Sequence, residues 1–173
     1  SNRSFEIPFY RRWVERIKGN ILEVGSGTGR ITLSIAEKFA GNIVGRDLVP
    51  TMIEKAKQKA AERKLLNVEF MIEDFRHTTG AFDLIFCATN AVQHLLSTND
   101  IKMFLDSCYK SLNEGGYLIF DIQNPDLNKL SRNLKQPYKY KEFRIKDSLI
   151  EAYIAGEYDT VSQIYYFSID YKK

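Results

Sequence analysis

The stretch from Asn20 to Lys38, NILEVGSGTGRITLSIAEK, limits the fold more than any other part of the chain. A short apolar run, Ile21 to Val24, ends in glycines at three alternate positions, Gly25, Gly27 and Gly29, and a helical pattern opens at Arg30. A parallel strand that ends in a glycine turn and opens a helix is a nucleotide-site geometry. Ligands of such sheets sit beyond the carboxyl ends of the strands, where the strand order reverses. Glycines let the backbone adopt positive φ and approach the ligand closely. A dinucleotide fingerprint needs GxGxxG. Here the spacing is GxGxG and the sixth position is Arg30, whose side chain would crowd the helix–strand contact that a third glycine permits. Glu23, two residues before Gly25, places a carboxylate at the end of a buried strand. It would repel a pyrophosphate and attract a cation. The loop therefore suits an adenosine carrying a positive centre rather than a diphosphate.

The flanking segments alternate in the same way. Phe9, Trp13 and Ile17 at helical spacing predict a helix over Phe5–Lys18, and further helices are predicted over Arg30–Phe39, Pro50–Arg63 and Asn99–Leu112. The last is opened by Thr98 or Asn99 and closed near Gly115-Gly116. Short apolar runs predict strands at Ile21–Val24, Asn42–Gly45, Asn67–Ile72, Phe82–Cys87 and Tyr117–Asp121. Strand then helix, repeated with short turns, predicts an α/β fold: a doubly wound, mostly parallel sheet covered on both faces. The alternation stops after Asp121. Gln123–Pro137 reads as a loop with a short helix. The tyrosine-rich tail from Tyr138 reads as two or three antiparallel strands, with turns near Lys146–Ser148 and Glu157–Thr160. The expected organisation is a cofactor-binding core over residues 1–124 and an antiparallel β appendage over 125–173, within one domain.

Composition removes several classes. The chain has 173 residues, enough for one domain with a sizeable core. Its 44% hydrophobic content fits a soluble globular protein, and no apolar run approaches the roughly 18 residues of a membrane span. No basic start followed by an apolar core is present, so no signal peptide is expected and the cytoplasm is the expected compartment. With 25 basic and 22 acidic residues, charge alone does not argue for nucleic acid. Cys87 and Cys108 make neither a metal spacing nor a CxxC pair, and are expected to be buried thiols. No metal site is expected.

The residues quoted so far carry a resemblance. ILEVGSGTGR resembles motif I of the class I S-adenosylmethionine-dependent methyltransferases. VGRDLVPTMIEKAKQKA, FDLIFCATNAVQHL and LNEGGYLIFDIQNPD follow that family's order and spacing, so the likeness extends over about residues 5–126. It implies a Rossmann-like fold and S-adenosyl-L-methionine as cofactor. It also implies roles. Glu23 and the backbone of Gly25, Ser26, Gly27 and Gly29 would face the amino-acid part and the sugar. Asp47 would accept from both ribose hydroxyls, with Leu48 and Met52 flanking the adenine. Asp74 would take the adenine amino group, with Phe75 beside it. Cys87, Ala88 and Thr89 would border the methionine part, and Tyr10 could close over the site from the first helix. Each assignment has a structural alternative. Asp47 or Asp74 could cap a turn, Met52 and Phe75 could be core, and Glu23 could pair with a basic residue. Arg46 departs from the family pattern, which places an apolar residue there, and is expected to point to solvent or to the acidic side of the pocket.

Methyl transfer from a sulfonium needs alignment and exclusion of water more than stabilisation of new charge. A general base is needed only where the acceptor must shed a proton, and His94 in TNAVQHL is the candidate. A backbone-bonded histidine near a helix start is the alternative. Asn90 and Gln93 could orient a polar acceptor or cap the turn. No Asn/Asp-Pro-Pro-aromatic motif follows the fourth strand, and Cys87 lacks the preceding proline of a base-C5 nucleophile. YKYKEFRIK fits a sheet with one solvated face better than a nucleic-acid surface. The leading expectation is transfer to an N or O atom of a small molecule, without nucleic acid or membrane as partner. A non-catalytic module binding S-adenosylmethionine or S-adenosylhomocysteine stays open, as does an RNA or protein methyltransferase. Relatives often roof the substrate site with an antiparallel insertion after the fifth strand, and Tyr138–Tyr171 resembles such a roof. The family normally continues with two more strands; a naturally short form and a piece of a longer protein both remain open. The exposed sheet edge is expected to be covered by the tail or by a second copy in a homodimer.

Overall fold

The computed structural model describes residues 5–124, 126 and 134–173. They divide into two compact units, Ser1–Ile122 and Gln123–Lys173.

The first unit runs α1 (Glu6–Ile17), β1 (Ile21–Val24), α2 (Arg30–Ala36), β2 (Ile43–Asp47), α3 (Pro50–Glu62), β3 (Val68–Ile72), β4 (Phe82–Cys87), α4 (Thr98–Ser111) and β5 (Leu112–Phe120). Short 3-10 turns occupy Phe75–His77 and Ala91–His94. The five strands form one parallel sheet in the order β3-β2-β1-β4-β5. The order reverses between β1 and β4, which is where this class of sheet opens a crevice. Each face has its own core. One gathers Ile21, Ile43, Leu84 and Phe86 under Tyr10, Val14, Ile31 and Ile35. The other gathers Leu22, Val24, Ile85 and Cys87 against Phe104 and Cys108 of α4. This double cover explains why the strands read as unbroken apolar runs. Both cysteines are free and buried, as their apolar settings imply. Among the described residues, no helix is long and apolar enough to cross a membrane.

The buried face of α1 is not its row of large apolar side chains, and two expectations for the fourth helix need correction. The face of α1 that is fully buried carries Glu6, Tyr10 and Val14; Phe9 is exposed, and Trp13 and Ile17 pack only on the flank. Large apolar side chains at helical spacing marked the helix but not its buried stripe, because Tyr10 stacks on Phe86 (ring centroids 4.8 Å apart) and sets the helix's rotation. The fourth helix opens one residue earlier, with the Ser97 hydroxyl accepting from the Asp100 N–H at 3.0 Å. It ends at Ser111, so Gly115-Gly116 falls inside β5 beside an irregularity in the β4 pairing.

The second unit is an antiparallel meander of β6 (Leu134–Ile145), β7 (Ser148–Asp159) and β8 (Ile164–Lys172), in the order β6-β7-β8. The β6–β7 turn uses Lys146 at φ 52°, and the β7–β8 turn uses Gln163 at φ 58°. Most of the expected loop with a short helix, residues 125 and 127–133, lies outside the described residues, and 134–137 belong to β6.

Candidate functional site

The carboxyl ends of β1, β2, β4 and β5 bring the motif residues to one rim of the first unit. The glycine loop is the centre. Gly25, Gly27 and Gly29 all take left-handed φ, at 69°, 55° and 76°. Two of them show what the missing side chain leaves room for. A Cβ on Gly25 would stand 2.8 Å from the Ala91 Cβ, so its absence lets the turn after β4 press against the loop. A Cβ on Gly27 would meet nothing within 4 Å and would project into open space. Gly27 thus presents bare backbone to the cleft.

Asp47 closes the loop from the end of β2. Its Oδ2 accepts from the Gly27 N–H at 2.8 Å and its Oδ1 from the Val49 N–H at 2.9 Å. Each oxygen keeps a lone pair, so Asp47 both caps the entry to α3 and can receive two hydroxyls. Leu48 and Met52 beside it are exposed apolar side chains. Met52 borders an open hollow with Thr28, Thr51, Glu54, Lys55 and Gln58, between the loop and α3, and is therefore not core.

Glu23 is 3% exposed. Its Oε2 accepts from the Thr32 N–H at 2.9 Å and from the Thr32 hydroxyl. Thr32 sits in the first turn of α2, whose cap residue Gly29 has no side chain, so Glu23 satisfies a helix-terminal donor from below. The alternative of a direct pair with a basic residue is not what the fold shows: the hydrogen bonds of Glu23 go to Thr32. Burial pushes its pKa up to about 8, partly offset by those hydrogen bonds and by the charge of Arg30. A carboxyl that burial keeps largely protonated at neutral pH ionises when a positive charge arrives beside it, so the site favours a ligand that brings one.

Tyr10 is 2% exposed, and its buried hydroxyl closes no full hydrogen bond but lies beside the Asp121 carboxylate, which attracts its proton. Burial first, then the negative charge of Asp121 beside it, hold its proton firmly on. The Ser26 hydroxyl is buried and unpartnered. An orphaned Ser26 hydroxyl and an open glycine face fit a polar ligand lying across the loop, since buried polar groups without partners are rare in folded proteins.

The segment after β4 completes the rim. Cys87 and Ala88 are buried, and burial and the negative charge of Glu23 raise the Cys87 thiol far above its ordinary range, which keeps its proton on. Thr89 and Asn90 then take φ 62° and 61°, two successive non-glycine residues in the left-handed region. That conformation costs about 1–2 kcal/mol for each such residue and persists only where surroundings enforce it. Here the Asn90 N–H donates to Asp121 Oδ1 at 3.1 Å, and Arg30 Nη2 donates to the Thr89 hydroxyl at 2.9 Å. The same guanidinium nitrogen pairs with Glu6 of α1. Gln93 and His94 are exposed at the end of the following turn.

Three sequence expectations fare differently at this rim. Asp74 accepts from the Arg76 N–H at 3.0 Å and from the Arg76 guanidinium with both oxygens, and that pairing lowers its pKa. It caps its turn, and an adenine amino group would share oxygens already engaged. Phe75 packs edge-on against Phe104 (centroids 5.5 Å apart) and is half-buried. Arg46 does not face solvent or the pocket. It is buried, donates to Glu73 Oε1 at 2.8 Å and to the Thr79 carbonyl at 2.7 Å, and lies over the Phe82 ring. A buried guanidinium needs such partners, and the short segment between β3 and β4 supplies them. Sequence reasoning missed Asp121 and the tie from Arg30 to Glu6 and Thr89. Their partners lie 24 to 59 positions away, and no local pattern marks them.

Known proteins share the motif segments and the fold. A family model described as "Methyltransferase domain" matches residues 21–116. YqeM of Bacillus subtilis, a protein named as a methyltransferase, is 30% identical over 121 residues, covering 66% of this chain and 48% of that one. Phosphoethanolamine N-methyltransferase 1 of Arabidopsis thaliana is 28% identical over 137 residues, covering 76% of this chain and 27% of that enzyme. The chain therefore spans about half the length of the first relative and about a quarter of the second. Among solved structures, a S-adenosylmethionine-dependent methyltransferase from Clostridium acetobutylicum superposes with a TM-score of 0.76 at 21% identity, covering 99% of this chain and 73% of that one. That likeness speaks to the fold.

Proposed function

The chain belongs to the methyltransferase-domain family, among the class I S-adenosylmethionine-dependent methyltransferases, and from that premise we propose that it transfers a methyl group to an N or O atom of a small-molecule acceptor. The observation that carries the proposal is the Gly27–Asp47 clasp: bare backbone and a two-handed carboxylate side by side on an open cleft. When bound, S-adenosylmethionine supplies a methyl group already activated on a cationic sulfur. The chain's own residues bind and orient. Asp47 would receive the ribose hydroxyls through charge-assisted hydrogen bonds. Leu48 and Met52 would flank the base. Glu23 would favour the cationic end electrostatically, and the Ser26 hydroxyl would gain a partner. Tyr10 and Phe86 would keep water from the floor of the site. His94, exposed beside the rim, would take a proton from an acceptor that must lose one.

The acceptor assignment rests on less. The Arabidopsis relative, by its name, acts on a small-molecule nitrogen. In the tail, Lys139 pairs with Glu142 and Glu151 at 2.7 and 2.6 Å, and Lys172 lies over the Tyr153 ring at 4.6 Å. Cations engaged inside a sheet favour the sheet reading of that segment over a nucleic-acid surface. The test is turnover of methyl-labelled S-adenosylmethionine with a metabolite extract, beside total RNA and a protein extract. Label in small molecules supports the proposal. Label confined to RNA or protein, or none with a bound cofactor, contradicts it.

A further inference from the structure

We infer that Arg30 is a positioning residue for the cofactor: anchored on Glu6, its guanidinium holds Thr89 in the left-handed conformation that shapes the crevice; this rests on the methyl-transfer reading above. Arg30 opens α2, directly beyond β1 and the glycine loop, and Thr89 stands two residues beyond β4. β1 and β4 are the strands between which the order reverses, where ligands of such sheets sit. Arg30 Nη2 joins the two sides of that crevice by donating to the Thr89 hydroxyl at 2.9 Å. The same nitrogen pairs with Glu6, which is buried in the first turn of α1. A second tie lies one turn along α2, where the Arg11 guanidinium donates to the Ser34 carbonyl at 3.1 Å and to its hydroxyl at 3.2 Å. α1 is therefore pinned to α2 at two points, and the Arg30 point also reaches the crevice.

Thr89 is the residue that needs holding. Asparagine visits the left-handed region with some ease, whereas a β-branched residue there is an outlier. Asn90 is secured by Asp121 through its backbone N–H. Thr89 is secured through its side chain, and the hydroxyl is what Arg30 grips. The turn also bears on the glycine loop. The room that Gly25 leaves is taken by Ala91, whose Cβ would stand 2.8 Å from a Cβ on that glycine. A turn that relaxes toward ordinary φ at Thr89 therefore shifts Ala91 and loosens the loop that presents Gly27. A guanidinium suits the task, because one terminal nitrogen carries two N–H groups, one for Glu6 and one for Thr89. An ammonium keeps the charge but loses the planar fork.

The test is calorimetric titration of the full chain with S-adenosylhomocysteine, with thermal unfolding of the ligand-free protein beside it. Arg30→Lys leaves a cation for Glu6, so the fold is kept while the bridge is lost. Thr89→Val keeps the shape and removes the hydroxyl; Thr89→Ser keeps the hydroxyl. Without the bridge the ligand must restore the left-handed turn itself, and the cost of one such residue reappears as lost affinity. Binding should be about five- to thirtyfold weaker in Arg30→Lys and in Thr89→Val, and within about twofold of wild type in Thr89→Ser. The double variant, Arg30→Lys with Thr89→Val, should be no more than about twofold weaker than either alone. Ligand-free melting should shift by less than about 4 °C in each. Wild-type affinity in Arg30→Lys or in Thr89→Val overturns the inference, as does a Thr89→Ser affinity as weak as that of the valine variant. So do losses that multiply in the double variant, which would mean that Thr89 touches the nucleoside itself and that Arg30 does not act through it. A larger fall in melting temperature also overturns it, by making the bridge a support of the fold alone. Failure of the wild type to bind S-adenosylhomocysteine instead removes the reading on which the inference rests.

Discussion

Glu23→Gln isolates the least ordinary group in the site. In the fold the carboxyl is buried and titrates at about 8, against an ordinary 4.5. A carboxyl whose folded pKa is raised stabilises the fold below its unfolded pKa, and that contribution is lost as pH rises from about 4.5 through about 8. At 1.36 kcal/mol per pKa unit, the loss approaches about 4–5 kcal/mol by pH 9, as an upper bound. Glutamine carries no charge at either end of that range, and its amide oxygen can still receive both Thr32 donors, which converge on a single oxygen of Glu23. The difference in stability between variant and wild type therefore isolates this one titration. Urea unfolding of the ligand-free protein should find the two within about 1 kcal/mol near pH 4.5. By pH 9 the variant should be ahead by several kcal/mol, roughly 10 °C in Tm for a chain of this length. Parallel pH profiles would refute the reasoning: Glu23 would then titrate normally, and its burial would carry no electrostatic preference for a cation.

Three other perturbations follow from the same geometry. Asp47→Ala should weaken S-adenosylhomocysteine binding by about 1.5–3 kcal/mol, the value of charged hydrogen bonds, in a calorimetric titration; an unchanged Kd would leave Asp47 only its cap on α3. Gly27→Ala forces an alanine to φ 55° and fills the open face of the loop, so it should cost about 1–2 kcal/mol of stability and a larger share of cofactor affinity, read from unfolding and binding side by side. His94→Ala should lower kcat by about 100-fold with KM little changed if the acceptor loses its proton to that imidazole, and a kcat within twofold would return His94 to the surface.

Much of the first unit was legible because its signals are local. The five apolar runs, the alternate glycines and Pro50 at the start of α3 each act within a few residues, and those elements lie within a few positions of where the sequence places them. What was not legible depends on partners far along the chain. The rotation of α1 is set by Tyr10 against Phe86, 76 positions away, so the row of Phe9 and Trp13 marks a helix but not its buried face. Arg46 reads as a surface charge until Glu73 and the Thr79 carbonyl are in place. The strained Thr89–Asn90 pair carries no glycine to announce it; its conformation follows from Asp121 and Arg30, neither of which has a motif. Asp74 shows the reverse case, where a carboxylate to which the resemblance assigns the adenine is engaged by a neighbour two residues on.

The central claim is that a buried acid, a bare glycine face and Asp47 together select a cationic nucleoside over a pyrophosphate. Calorimetry on one preparation with S-adenosylmethionine, S-adenosylhomocysteine and NAD tests it most directly. Binding of the first two, with no detectable heat from NAD, is the predicted result. Binding of NAD with neither nucleoside bound would contradict it.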